Sequence, residues 1–215
     1  MDNLKHLSPP RMLRPFILTS DKRLPIFRQF IESYERIAHT LLEPVLIIDD
    51  SNHSTRQEYH DLLLRLSPIA TISHPQLTAD YQLPLRDLIP WILEFSQNDI
   101  LFSLDTLCFS DNFSEGIEHS SQLIQTHTDI IVLEPIQHVS SGTDAEPLFT
   151  NFVRQEEGTK SAVQGCSVIR RRVIEDFYDT MHTPSTNIGW DEFCEKQKYK
   201  IYETTVPYVR SLVES

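Results

Sequence analysis

The sequence predicts an α/β sandwich in one domain spanning residues 1–215, with a mainly parallel central sheet and helices on both faces. Three observations predict it. Short apolar or β-branched runs alternate with amphipathic helical stretches along the chain, the pattern of strand–helix–strand units. A length of 215 residues buries a sizeable core without a covalent staple. Cys108, Cys166 and Cys194 show no CxxC spacing, so they read as reduced, buried thiols.

Residues 1–12 form a polar leader. Leu13–Thr19 (LRPFILT) then has the apolar run of a buried strand. Phe27, Phe30, Ile31, Tyr34, Ile37, Ala38 and Leu41 recur at spacings of three and four, which puts them on one helix face. Ser20 or Asp21 can cap this helix, and Pro25 suits its first turn. Val45–Ile48 is a strand ending in Asp49-Asp50. Tyr59, Leu62, Leu63 and Leu66 mark a second helix, capped near Ser54 or Thr55. Ile69–Ile72 follows as a strand, and Leu83–Phe95 as a helix that Pro90 bends or delays.

Ile100–Phe102 reads as a strand leading into Leu104-Asp105-Thr106. A helix over Asn112–Gln125 and a strand over Ile130–Leu133 come next. Residues 135–160 are polar and read as a long flexible surface loop. Strand character resumes over Val163–Ile169. Helices over Arg171–Met181 and Gly189–Lys198 lead to a last strand, Ile201–Val206.

Composition narrows the function. Nineteen basic against thirty-one acidic residues give a net charge of −12, which argues against a broad basic face for nucleic acid. Only five glycines are present, without a GxGxxG or GxxxxGK[ST] motif, so a nucleotide must be held by another device. The nine histidines lack HxH or HExxH spacing, against a zinc site. No apolar stretch reaches the roughly 18 residues of a membrane span. Met1–Arg14 has no apolar signal core, so a cytoplasmic protein is expected. Polar groups fall at three strand ends, Thr19-Ser20-Asp21, Asp49-Asp50-Ser51 and Asp105-Thr106. In open α/β sheets ligands gather at such ends, which favours a nucleotide or metal site.

Several segments resemble, in order, those of glycosyltransferases with the A-type fold. Phe16–Ser51 is similar to their opening, a strand, a helix and a second strand ending in Asp-Asp-Ser. Ile100–Phe113 resembles their strand with the acidic motif. Cys166–Phe177 and Gly189–Pro207 are similar to the later strand–helix and Trp-Asp segments. The resemblance implies a nucleotide-sugar donor, UDP-linked, and transfer with inversion. Its pyrophosphate leaving group needs a divalent metal (Mn or Mg) or Arg/Lys to neutralise it. Thr19, Arg23, Asp49, Asp50, Leu104 and Asp105 are the implied donor-binding residues, and Asp49 or Asp50 would accept from the base or ribose. Asp105 is the implied metal ligand, and Asp191, in Trp190-Asp191-Glu192, the catalytic base. The implied acceptor is a glycan, a protein, a small molecule or a modified nucleic-acid base, and the implied origin bacterial or viral.

The chain departs from the family where it has Leu104-Asp105-Thr106 instead of Glu-Asp-Asp, and where no His follows the last strand. One carboxylate is a poor seat for a hard cation, so metal binding should be weak or dispensable. Other readings stand beside these. Asp191 and Glu192 also suit the N-terminal end of a helix, and Arg170–Arg172 either bind phosphate or face solvent. The eroded motif also fits a non-catalytic binding module of the same fold. Asp49-Asp50 with Asp105 further resembles a receiver-type phosphorylation domain, although a full strand–helix unit precedes the acidic pair.

Overall fold

A computed structural model of the chain describes residues 11–37, 41–51, 56–73, 85–126, 128–133, 145–146, 149–154, 165–182 and 188–212. Strand β1 (Leu13–Thr19) leads through a 3-10 turn (Asp21–Arg23) into α1 (Leu24–Arg36). Then come β2 (Leu46–Asp49), α2 (Gln57–Arg65), β3 (Ala70–Ser73), α3 (Leu85–Phe95), β4 (Asp99–Leu104) and β5 (Leu107–Phe109). The second half runs α4 (Phe113–Thr126), β6 (Ile130–Val132), β7 (Ala145–Glu146), β8 (Phe149–Arg154), β9 (Cys166–Ile169) and α5 (Arg171–Met181). It closes with α6 (Trp190–Gln197), β10 (Ile201–Thr204) and β11 (Val209–Ser211).

The main sheet has the order β3-β2-β1-β4-β9-β6-β10-β8-β7. Strands β3, β2, β1, β4, β6 and β10 share one direction, and β9 runs antiparallel between β4 and β6. The expected mainly parallel sheet is therefore present. β1 lies inside the sheet and is buried along its whole length, which is why its apolar residues do not alternate with exposed ones. Its Arg14 is only 9% exposed. Nη1 donates to the Pro44 carbonyl at 2.6 Å, and the guanidinium pairs with Glu43 at 2.9 Å.

The α1 stripe is built as its spacing predicts from Phe27 to Tyr34, but the helix stops at Arg36, so Leu41, expected on the same face, lies in a turn outside it. Phe27 packs on Tyr59 of α2 with ring centroids 5.5 Å apart, and Phe30 packs on Phe109 of β5 at 5.4 Å. Each fully buried ring of this kind contributes roughly 1.5–3 kcal/mol. Ser33 fastens the same contact: its hydroxyl donates to the Phe30 carbonyl at 2.8 Å and accepts from Phe109 N–H at 3.2 Å. Neither Ser20 nor Asp21 caps α1, whose N-cap is Arg23 with no side-chain cap bond; Ser20 instead caps the 3-10 turn, its side chain accepting from Lys22 N–H. α3 continues through Pro90. Ala38, Leu83 and the caps expected at Ser54 or Thr55 lie outside the described residues.

One expectation needs correction, and one feature was not expected. The stretch read as one flexible loop contains β7 and β8, which pair antiparallel with each other, and β8 pairs antiparallel with β10. Strand pairing across distant segments, not local periodicity, holds this hairpin. Likewise β5 and β11 form a small separate sheet, Val209 opposite Phe109. These three-residue strands are too short to signal themselves in sequence. Among the described residues no helix is long and apolar enough to cross a membrane.

Candidate functional site

Strand order decides where a ligand can sit. From β1 the chain steps outward to β2 and β3, then crosses back to β4 on the other side of β1. The crevice outside the carboxyl ends of β1 and β4 is thus the switch point at which open α/β sheets bind ligands. Register carries the polar strand ends there. Thr19 lies opposite Asp49 across β1 and β2, and Leu18 lies opposite Leu104 across β1 and β4. Asp105, the next residue, is thereby delivered beside Thr19.

Asp105 is the hub of this cluster. It is fully buried, and both carboxylate oxygens are engaged. Thr19 Oγ1 donates to Oδ2 at 2.9 Å and Ser20 N–H to the same atom at 3.2 Å. Arg23 Nε donates to Oδ1 at 2.8 Å. Burial pushes the Asp105 carboxyl above the ordinary range, while Arg23, Thr19 and Ser20 pull it back.

The neighbouring acidic pair is held differently. Asp49 Oδ1 accepts from Ser51 N–H and from the Tyr59 hydroxyl, each at 2.8 Å. Its Oδ2 has no hydrogen-bond donor among the described residues. Asp50 N–H donates to the Thr19 carbonyl at 2.9 Å, binding the end of β2 to the end of β1. Ser51 Oγ accepts from Asp21 N–H at 2.7 Å, which fixes the 3-10 turn that carries Arg23. Burial holds the Tyr59 phenol well above its usual pKa, so it donates throughout the neutral range.

The structure therefore brings together Thr19, Arg23, Asp49, Asp50, Leu104 and Asp105. It describes Asp191 by its backbone alone, at the second position of α6. Ser20 and Ser51, named only as part of the polar strand ends, complete the cluster with Tyr59, whose spacing marks it as a core residue alone. Tyr59 carried a usable signal, since a buried tyrosine on an apolar helix face needs a partner for its hydroxyl.

The residues around Asp105 can be set against the divalent metal that the resemblance implies, expected to bind weakly or to be dispensable. A hard cation wants several oxygens, but Asp105 offers none that is uncommitted, and Arg23 stands 2.8 Å from Oδ1. Thr106 supplies a hydroxyl where an acid would serve. No group of three or more His, Cys, Asp or Glu suited to a metal exists among the described residues. The described residues do not fit a divalent ion.

Two other readings end here. Because β9 is antiparallel, its exit carries Arg170–Arg172 to the entry end of β4, away from the switch point. They line a cleft of about 330 Å³ with Arg11 and Asp99. Arg170 pairs with Asp129, Arg171 with Glu175 and Arg172 with Asp176, so this run does not serve the phosphates of a ligand at the switch point. A receiver-type domain is excluded as well. Its acceptor aspartate must be open to phosphorylation, whereas Asp105 is sealed beneath Thr19, Ser20 and Arg23, and the antiparallel β9 interrupts the parallel sheet.

Solved structures share the fold. S. aureus TarS in complex with UDP-GlcNAc aligns at a TM-score of 0.61 with 12% identity, over 95% of this chain and 59% of that one. Mannosyltransferase PcManGT from Pyrobaculum calidifontis, in complex with GDP-Man and Mn²⁺, aligns at 0.54 with 12% identity, over 95% and 61%. UDP-glucose pyrophosphorylase complexed with UDP-glucose aligns at 0.50 with 11% identity, over 90% of each chain. The fold is thus that of A-type glycosyltransferases and of a related nucleotide-sugar enzyme. The chain spans about six-tenths of the length of the TarS and PcManGT structures. No family profile matches the sequence, and no curated protein matches it.

Proposed function

We propose that this protein is a glycosyltransferase that moves a sugar from a UDP-linked donor to an acceptor hydroxyl, with inversion at the anomeric carbon. The observation that carries this reading is the convergence of Thr19, Asp49 and Asp105 at the switch point, in a fold shared with proteins holding UDP-GlcNAc and GDP-Man. Base and ribose lie over the ends of β1 and β2, where Asp49 Oδ2 and Asp50 accept their hydrogen bonds. Thr19 and Leu104 line the crevice beside them. Asp191 takes the proton from the acceptor hydroxyl as that oxygen attacks the anomeric carbon. The bond from sugar to phosphate breaks, and the nucleoside diphosphate leaves with the electron pair. The start of α6 favours an ionised Asp191. No step is assigned to a metal. The acceptor is a glycan, a protein, a small molecule or a modified nucleic-acid base, and a cytoplasmic site of action suits the reading.

A thermal-shift panel of UDP- and GDP-sugars tests the donor, because a ligand that binds only the folded chain raises its melting temperature. We expect a UDP-sugar to give the largest rise, and Asp49→Ala and Asp50→Ala each to reduce it. If both variants keep wild-type affinity for UDP and UDP-sugars, the placement is wrong. Thr106, standing where an acid is usual, also favours a second reading, a binding module without turnover. Release of free sugar from the donor by the purified protein separates the two.

A further inference from the structure

We propose that Arg23 supplies the positive charge for the donor pyrophosphate, so that nucleotide binding requires no divalent cation. This rests on the donor-site reading above and adds to it the source of the countercharge. Three observations lead to it.

First, the place of a metal ligand is taken. Oδ1 of Asp105 accepts from Arg23 Nε at 2.8 Å, and Oδ2 accepts from Thr19 and Ser20. A Mg²⁺ ion coordinating Oδ1 would come at about 2.0–2.1 Å, against a guanidinium already there. Admitting it means breaking a pair whose carboxylate is fully buried, which strands a charge away from water. The like charges of cation and Arg23 also repel one another.

Second, the guanidinium is aimed but not exhausted. Its Nε alone is used, and Nη1 and Nη2 have no acceptor among the described residues. Neither is a buried orphan, and the side chain keeps 21% of its surface exposed. A guanidinium locked through Nε presents its remaining N–H groups as a planar fork, the geometry that matches phosphate oxygens.

Third, Arg23 is fixed in the right place. It ends the 3-10 turn directly after β1, and that turn is pinned by Ser51 Oγ accepting from Asp21 N–H at 2.7 Å. The fork therefore stands at the switch-point crevice with little conformational freedom left to lose on binding. Asp105 accordingly acts as a positioning residue for Arg23.

The test is calorimetric titration of UDP, GDP, UDP-GlcNAc and GDP-mannose into the full chain, in EDTA and in Mn²⁺. Affinity for the preferred nucleotide should be the same in both buffers. Arg23→Lys, which keeps the charge but not the fork, should weaken it. The double variant Arg23→Gln/Asp105→Asn keeps a neutral hydrogen-bonded pair, which avoids a stranded buried charge. It should melt as a folded protein and lose roughly tenfold or more in affinity. Binding that disappears in EDTA and returns with Mn²⁺ overturns the inference while leaving the donor-site reading in place. Unchanged affinity in the folded double variant overturns the role of Arg23. Absence of binding by every nucleotide in both buffers overturns the donor-site reading, and the inference with it.

Discussion

The hydroxyl of Tyr59 donates to Asp49 Oδ1 at 2.8 Å, so a helix assigned to the core by its spacing also orients an acid at the end of β2. Tyr59 is fully buried and packs on Phe27. The contact has two consequences, one for folding and one for ligand binding. Tyr59→Phe keeps the ring and removes only the donor. We expect a loss of about 1.5 kcal/mol in stability, since the acceptor is charged, measured by urea unfolding. Affinity for a UDP-sugar should fall severalfold, because Asp49 Oδ2 is then less firmly held. A variant as stable and as tight-binding as the parent would remove Tyr59 from the site.

Gly116 in α4 faces the ring of Tyr208. A Cβ there would lie 2.8 Å from Cγ and 2.9 Å from Cδ1 of that fully buried side chain, which stacks on Phe152. The near end of a ring cannot swing away as a flexible tip does. Gly116→Ala gains up to about 1 kcal/mol of helix propensity but forces the ring to shift, at roughly 1–3 kcal/mol. A net loss of stability is expected, read as a lower melting temperature. A rise would show that the ring yields freely.

Asp99 accepts from Arg171 N–H at 2.9 Å at the start of α5. Burial raises its pKa, against the pull of that hydrogen bond and of Arg170, Arg11 and Arg171. The folded chain therefore holds this proton more tightly than the unfolded chain, whose aspartates titrate near about 3.9. The stabilisation from that proton is complete below the unfolded value and is lost as pH rises through the folded one. Asp99→Asn keeps the acceptor for Arg171 and removes the desolvated charge. It should be more stable than the parent at neutral pH, with the advantage shrinking toward acid. Melting curves across that range check the sign, and a neutral-pH loss would contradict it.

Asp191 is assigned the base in the proposed reaction. Asp191→Asn keeps the shape and removes the proton acceptor, so transfer should fall by about 10²–10⁴ while donor affinity stays near that of the parent. Turnover with an identified acceptor, set beside calorimetry of the donor, checks both halves. Undiminished turnover would leave Asp191 with only an electrostatic part at the start of α6.

The sequence by itself determined the fold class and most local elements, though not strands β5, β7, β8 and β11. The apolar run of β1, the three–four spacing of α1 and the alternation of strands with helices all follow from which residues must be buried along a few neighbouring turns or pleats. It also placed Thr19, Asp49, Asp50 and Asp105 at strand ends, because a polar residue closing an apolar run marks where the chain leaves the core. Only the tertiary structure decided what these residues do to one another. Arg23 and Asp105 are 82 positions apart, and their pairing exists because β4 lies beside β1 in the sheet. The antiparallel direction of β9, which sends Arg170–Arg172 to the far edge, and the pairing of β5 with β11 have the same origin. Strand order and direction are set by long-range hydrogen bonding and packing, which leave no period in the sequence. The difference between a carboxylate waiting for a metal and one already sealed by a guanidinium rests on that order.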